Sequence, residues 1–174
     1  TSYSEFWESA IKGISSITSV SVVVILLLVG MFSALIKLCG LSGGFVWIAN
    51  ASGMKGGIFV AFTFIAACIV STATGSSIGT MFIAFPIFYP AGIMLGANEM
   101  MMAGSIVSGA IFGDNLAPIS DTTIASASTQ QFKNGRPADI GGVVSSRIKY
   151  SAIAGAITIV IFAAFGGIGG VYEG

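Results

Sequence analysis

Histidine is absent from this sequence, and charged side chains are scarce. None of the 174 residues is histidine, and only 8% are Asp, Glu, Lys or Arg. The absence of histidine excludes a histidine proton relay and histidine ligation of a metal ion. A soluble domain carries about 25% charged residues, so this chain lacks the polar surface that a water-soluble fold needs.

Net charge and cysteine content exclude further classes of protein. The 7 basic and 7 acidic residues give a formal net charge of zero, so no nucleic-acid partner is expected. Cys39 and Cys68 lie in apolar surroundings without a paired spacing. We interpret each as a small buried hydrophobe rather than half of a disulfide or a metal ligand. The chain starts at Thr1 without a charged and then apolar leader, and we expect a piece of a longer protein or a processed product.

Apolar residues make up 55% of the chain, and the mean hydropathy is +0.96. The 24 residues between Lys12 and Lys37 carry no charge, and neither do the 23 between Lys149 and Glu173. A bilayer span needs about 20 apolar residues, so each run predicts a transmembrane helix. The predicted segments are an interfacial helix over 1–16, a span over 17–38, a loop with a short amphipathic piece over 38–55, and a last span over 150–172.

The longest uncharged run has 43 residues between Lys55 and Glu99, which is too many for one straight crossing. Its centre, residues 71–80, holds six hydroxyl side chains and two glycines. This pattern predicts a helical hairpin over 56–97 with a polar tip. Two full crossings and a re-entrant hairpin both fit the pattern. We prefer the re-entrant hairpin, because irregular polar backbone at membrane depth is tolerated only inside protein or along a cavity.

Residues 100–131 predict a broken helix, because Gly113 and Pro118 both disfavour a continuous one. We expect the first half to stop near Gly113, an unwound segment over 114–120, and a second half from about Asp121. Asp114 and Asp121 are the only charged side chains of this element after Met100. The break therefore places two carboxylates inside a hydrophobic element.

No basic residue lies between Lys55 and Lys133 to pair with the two carboxylates. Buried acids without partners are costly in a membrane, and two of them close together repel each other. The pair therefore invites either a proton or a metal cation, and a hard monovalent cation suits oxygen ligands. We expect Na⁺ and H⁺ as transported ions and no cofactor. The predicted oxygen ligands are Asp114, Asp121, Asn115, Ser120, Thr122 and Thr123 from the break, and Thr72, Thr74, Ser76 and Ser77 from the hairpin tip.

Basic residues cluster in segment 132–149, which contains Lys133, Arg136, Arg147 and Lys149. Because lysine and arginine accumulate in cytoplasmic loops, this loop is predicted to be cytoplasmic, which places Lys55, Glu99 and Glu173 outside. Arg147 and Lys149 are interpreted as determinants of that topology. The expected setting is a multi-pass protein of the cell membrane, specifically the bacterial inner membrane, with the lipid bilayer as its partner.

The stretch from Gly113 to Thr123, GDNLAPISDTT, resembles the signature of NhaC-type Na⁺/H⁺ antiporters in the ion transporter superfamily. Residues 72–77 and 139–150 are similar to segments that flank that signature. The resemblance implies an all-α polytopic membrane protein that works by alternating access through inverted repeats, each with a hairpin and a broken helix. It also implies that Asp114 and Asp121 carry the ions, with the hairpin hydroxyls in support.

Members of this family are much longer and carry a matching second half, whereas this chain shows one hairpin and one broken helix. The resemblance therefore implies one inverted-repeat half, to be completed by the other half of the carrier or by a second copy in a homodimer.

Three other functions remain open beside Na⁺/H⁺ antiport. One is Na⁺-coupled transport of an organic anion or amino acid, because half-helix N-termini can face a carboxylate. Another is an intramembrane aspartyl protease, although its two acids would stand seven residues apart in one element. A non-catalytic membrane subunit is the third.

Overall fold

The computed structural model describes residues 2–133, 135–136 and 138–170, without the side chain of Thr18. Those residues form helices and no β-strand, which confirms the predicted all-α class. Four of the helices formed by these residues are long and apolar enough to cross a membrane, as expected for a polytopic membrane protein. Glu173, which was predicted to lie on the outer side of the membrane, is not among the described residues. The helices are α1 (Tyr3–Ile14), α2 (Ile17–Leu38), α3 (Leu41–Ala51), α4 (Gly57–Thr74), α5 (Ser77–Met94), α6 (Glu99–Leu116), α7 (Asp121–Thr129) and α8 (Ile140–Phe165).

The chain divides into two compact units, of which the first is Thr1–Cys39. It begins with a capping box, in which the Ser2 hydroxyl accepts from the Glu5 backbone N–H and the Glu5 carboxylate accepts from the Ser2 N–H. Helix α2 has 22 residues, about 33 Å at the usual helical rise, which suits a bilayer crossing. Cys39, which caps the end of α2, is exposed. The interpretation of Cys39 as buried is therefore wrong, because a helix terminus presents its cap residue at the surface.

The second unit, Gly40–Gly174, contains a helical hairpin formed by α4 and α5. Only Gly75 and Ser76 separate the two arms. Gly75 ends α4 with φ of 66°, a left-handed conformation that glycine adopts without a steric penalty. The Ser76 hydroxyl accepts from the Gly79 N–H at 3.1 Å and so caps α5. The polar residues of this region therefore form a tight tip, which ends two arms of 18 residues each.

Helices α4 and α6 pack closely and in parallel. A Cβ atom added to Gly109 would overlap the Phe64 carbonyl, and one added to Gly113 would overlap the Cys68 carbonyl. Small residues at this spacing let helix backbones approach each other in a membrane. The last turn of α6 is thereby held against α4 near the hairpin tip.

The apolar core of this unit lies along α4 and α6, where Phe59, Val60, Met102 and Ile106 are fully buried. Phe64 reaches across to Phe162 of α8, with ring centroids 5.7 Å apart.

At one end of the unit, the start of α4 is bonded to the end of α5, and the start of α6 is bonded to the end of α8. The Gly56 N–H donates to the Leu95 carbonyl at 3.0 Å, and the Asn98 N–H donates to the Gly166 carbonyl at 2.8 Å. The Asn98 side-chain amide also donates to the Ile168 carbonyl at 3.0 Å. The hairpin tip and the end of α6 consequently lie at the opposite end of this unit.

Replacing Asn98 with alanine is expected to lower the free energy of unfolding by about 1 kcal/mol, the usual cost of losing an N-cap. The Asn98 side chain caps α6 by accepting from the Met101 N–H at 3.1 Å, in addition to its bond to α8. Thermal unfolding of the purified protein in detergent measures the change. Asn50→Ala, on the exposed face of α3, is the control, and equal unfolding temperatures for the two variants would contradict the prediction.

Helices α3 and α8 complete the second unit. Helix α3 has 11 residues, too few to cross a bilayer, and it packs on the hairpin through Phe45 and Phe88, whose ring centroids are 5.1 Å apart. Helix α8 has 26 residues and begins at Ile140. The prediction of a loop continuing to 149 is therefore wrong. The Asp139 carboxylate caps the helix start by accepting from the Gly142 N–H at 2.8 Å, so the helix begins within the polar sequence.

Candidate functional site

Four residues, Ala117–Ser120, separate α6 from α7. Helix α6 continues past Gly113 and ends at Leu116, so the predicted unwinding at residues 114–116 is wrong. The reason is that a proline restricts the residue immediately before it. Ala117 is accordingly extended, with φ of −71° and ψ of 124°. Asp114 therefore lies in the last turn of a helix and not in an unwound segment.

Asp114 is half-buried, and its Oδ1 atom is enclosed without a hydrogen-bond partner. In the part of the chain that the structure describes, the carboxylate forms no ion pair. A buried polar atom without a partner costs about 1–3 kcal/mol, and more when it is charged. Asp114 borders an open pocket of about 540 Å³, which is lined by Ser108, Ile111, Phe112, Asp114, Asn115 and Thr122.

Two hydroxyl groups of α4 contact the last turns of α6. The Ser71 hydroxyl donates to the Ala110 carbonyl. The Thr72 hydroxyl lies 2.8 Å from the Cys68 carbonyl oxygen and 3.1 Å from the Gly113 carbonyl oxygen. Thr72 therefore lies beside Gly113, the residue that precedes Asp114. The lone pairs of the Thr72 hydroxyl oxygen are still available.

The hairpin tip lies against the segment between α6 and α7. A Cβ atom added to Gly75 would come within 2.7 Å of the Ile119 side chain and 3.1 Å of its carbonyl carbon. Beyond Ile119, the hydroxyls of Ser120 and Thr122 share a hydrogen bond of 2.9 Å. Thr123 is fully buried, and its hydroxyl oxygen has no partner among the described residues. The hairpin tip therefore lies against the residues that precede α7.

The remaining predicted site residues lie in different surroundings. The Thr74 hydroxyl lies 3.4 Å from the Ser71 carbonyl oxygen and 3.3 Å from the Thr80 hydroxyl, within the hairpin tip. Ser76 caps α5, and Ser77 is the half-buried first residue of that helix. Asp121 is exposed in the first turn of α7. The expectation that both carboxylates are buried is therefore wrong for Asp121, because the start of α7 presents this side chain at the surface.

Sequence reasoning missed Arg147 as a site residue and assigned it to topology. Its Nη1 atom donates to Asn115 Oδ1 at 3.1 Å, and its Nη2 atom donates to Ser126 Oγ at 3.0 Å. The partners are 32 and 21 residues away in sequence, so no local pattern indicates the contact. Ser71 was also missed, although it belongs to the hydroxyl-rich stretch that the sequence pointed to.

The chemistry of this arrangement follows from its donor atoms. Among the described residues, no three His, Cys, Asp or Glu side chains are grouped so that they could hold a metal ion. The available donors are one enclosed carboxylate oxygen, hydroxyl oxygens and carbonyl oxygens near a helix end. Such a set can hold a proton or a small hard cation.

Three curated bacterial proteins are similar to this chain. The malate-2H⁺/Na⁺-lactate antiporter of Bacillus subtilis is 33% identical over 168 residues, which cover 95% of this chain and 33% of that protein. An uncharacterised Na⁺/H⁺ antiporter of Haemophilus influenzae is 41% identical over 92 residues, 50% of this chain and 19% of that protein. The Na⁺/H⁺ antiporter NhaC of Alkalihalophilus pseudofirmus is 40% identical over 65 residues, 37% of this chain and 14% of that protein.

The chain spans about a third of the length of the Bacillus relative, and the matches to the other two cover smaller shares. No solved structure matches it. All three relatives are named as antiporters, which are transporters and not enzymes. The family model described as the Na⁺/H⁺ antiporter family matches residues 1–167. This multi-pass membrane chain therefore belongs to the Na⁺/H⁺ antiporter family.

Proposed function

We propose that this chain forms part of a carrier that exchanges Na⁺ for H⁺, with Asp114 holding the two ions in turn. The observation that carries the proposal is the Oδ1 atom of Asp114, which is enclosed without a partner beside an open pocket. An ionised carboxylate in that position needs a cation, and a protonated one needs none. Either ion relieves the cost of burial, so each competes with the other.

The position of Asp114 near the end of α6 favours a cation. The last carbonyl groups of a helix carry partial negative charge, and Asp114 lies in the last turn. Thr122 borders the same pocket, and Thr72 lies beside the adjacent Gly113 carbonyl. We assign these oxygens, with the unpartnered hydroxyl of Thr123, to the coordination of Na⁺. The Asn115 amide oxygen, in contrast, accepts from Arg147 and is not counted as a Na⁺ ligand.

Asp121 is the second carboxylate of the proposed exchanger. It is exposed at the first turn of α7, where the helix N-terminus favours negative charge. We assign it the role of the more accessible acid, which receives the ion before or after Asp114. Ser120 accompanies it at the α7 start, and we assign Thr74, Ser76 and Ser77, which lie at the hairpin tip, to the path that the ions take to the site.

In the membrane we place α4 and α5 as a re-entrant hairpin and α6 with α7 as a discontinuous helix, which together form one inverted-repeat half. Transporters recurrently bind ions at such interrupted helices. The pocket beside Asp114 is open, so the other half of the carrier, or a second copy of this chain, would supply the facing wall. Alternating access would then expose the pocket to each side in turn. We place the basic segment 132–149, whose last ten residues belong to α8, at the cytoplasmic face of the bacterial inner membrane.

A second candidate function is exchange of small carboxylic acids coupled to Na⁺ and H⁺. It is favoured by the relative from Bacillus subtilis, named as a malate-2H⁺/Na⁺-lactate antiporter, whose similarity covers 95% of this chain. A carboxylate substrate could lie at the N-terminus of α7, where backbone N–H groups are free to donate.

Proteoliposomes that contain the complete carrier distinguish the two functions. We expect an inward Na⁺ gradient alone to drive protons out, which a pH-sensitive dye in the lumen records as alkalinisation. A K⁺ gradient of the same size is the control and should have no effect. If protons move only when malate or lactate is also present, the second candidate replaces the first. No proton movement in any condition would reject both.

A further inference from the structure

We propose that Arg147 is a positioning residue that clamps α7 to the end of α6 and so sets the affinity for Na⁺. This inference rests on the proposed exchange at Asp114. It departs from the interpretation of Arg147 as a determinant of topology. The observation behind it is the pair of hydrogen bonds from one guanidinium group to Asn115 of α6 and Ser126 of α7.

Helix α7 needs such a clamp because it is short. It has 9 residues, and isolated helices below about 12–15 residues are marginal in water. Within α7 only Thr123 and Ala127 are buried. Ser126 follows Thr123 by three residues and so lies on the same face. A bond to Ser126 therefore holds the buried face of α7 in place.

The other end of the clamp is the residue next to Asp114. Asn115 lies in the last turn of α6, where a positive charge is favourable. Asn115 borders the same pocket as Asp114 and Thr122. Because Arg147 joins Asn115 to α7, it fixes the separation between the oxygen atoms of α6 and those of α7.

Arginine suits this task better than lysine. Its guanidinium is planar, and its nitrogen atoms diverge at a fixed angle, so it can donate to two acceptors on different helices. Both bonds, at 3.1 Å and 3.0 Å, have ordinary hydrogen-bond lengths. A lysine would retain the charge but would present one nitrogen to both acceptors.

The test compares Arg147→Gln and Arg147→Lys with Lys149→Gln in the complete carrier. Lys149 is an exposed basic residue two positions further along α8, so it matches Arg147 in charge and in influence on topology. We expect Arg147→Gln to raise the apparent KM for Na⁺ roughly tenfold while Vmax changes less than about threefold, the pattern of lost binding. The KM of Arg147→Lys should lie between the values of the wild type and Arg147→Gln. Lys149→Gln should have the KM of the wild type.

A double-mutant cycle with Ser126→Ala tests the bridge itself. If the bond to Ser126 matters, Ser126→Ala should raise the KM in the wild-type background and add nothing to Arg147→Gln. Amide hydrogen exchange supplies a readout that does not depend on transport. Exchange in residues 121–129 should be faster in Arg147→Gln than in Lys149→Gln, with α4 as the internal reference.

The outcomes separate the clamp from the proposed function. If the wild-type carrier moves no protons in response to Na⁺, the proposed function fails and the effect of Arg147 on Na⁺ affinity fails with it, while amide exchange still shows whether Arg147 holds α7 in place. If the carrier is active but Arg147→Gln and Lys149→Gln have the same KM, the clamp is rejected. Faster exchange in α7 without a change in KM would also reject it, because the contact would then be structural only.

Discussion

Replacing Asp114 with asparagine is expected to reduce Na⁺-driven proton movement to the level of liposomes without protein. Asparagine has nearly the same shape as aspartate but carries no charge and does not bind or release a proton near neutral pH. The variant would therefore lose both ions of the proposed cycle. The measurement is lumenal alkalinisation after a Na⁺ gradient is applied to proteoliposomes that contain the complete carrier.

Asp139→Asn is the matched control for this variant. Asp139 is the exposed N-cap of α8, and asparagine is an N-cap of similar strength, so the exchange rate should stay at the wild-type level. Asp121→Asn, which removes the proposed second acid, should also lower the rate. Exchange that persists in Asp114→Asn would reject Asp114 as the ion carrier.

Thermal stability separates loss of ion binding from loss of fold. Asp114→Asn replaces a carboxylate oxygen that is enclosed without a partner. Removing that charge should leave the unfolding temperature unchanged or raise it, because a buried unpaired charge destabilises a fold. If Asp114→Asn is inactive and also unfolds at a clearly lower temperature, misfolding would explain the loss of activity. Ion binding would then be decided by whether Na⁺ raises the unfolding temperature of the wild type.

Replacing Gly113 with alanine is expected to lower the free energy of unfolding by about 1–3 kcal/mol, the usual range for overpacking a tight contact. A Cβ atom at Gly113 would overlap the carbonyl group of Cys68. Because that obstacle is backbone, α4 and α6 would have to move apart. Unfolding temperature in detergent measures the effect, and a reduced exchange rate should accompany it.

Gly104→Ala is the control for the close contact at Gly113. Gly104 lies in the same helix, a Cβ atom added there would meet open space, and alanine favours a helix over glycine by up to about 1 kcal/mol. We therefore expect Gly104→Ala to be neutral or slightly stabilising. If both alanine variants had the same unfolding temperature, the close packing of α4 on α6 would not be a source of stability.

The two predictions concern adjacent residues because one contact serves both stability and the site. The absence of a side chain at Gly113 lets α6 approach α4, and the same approach brings the Thr72 hydroxyl to 3.1 Å from the Gly113 carbonyl oxygen. Asp114 follows directly on this turn. A change that separates the helices should therefore alter the surroundings of the carboxylate as well.

The sequence by itself determined the class of the protein, its apolar spans, the hairpin region and the two acids that flank Pro118. These properties are local along the chain. A run without charge must find an apolar environment whatever surrounds it, and proline disturbs the backbone beside it regardless of tertiary contacts.

Only the tertiary structure decided that α6 extends through Asp114, that one oxygen of this carboxylate is enclosed, and that Arg147 joins α6 to α7. Each depends on atoms brought together from distant parts of the chain. The Thr72 hydroxyl and the Gly113 carbonyl are 41 residues apart, and Arg147 lies 32 residues from Asn115. Contacts over such separations arise from helix packing, which hydropathy and spacing along the chain do not specify.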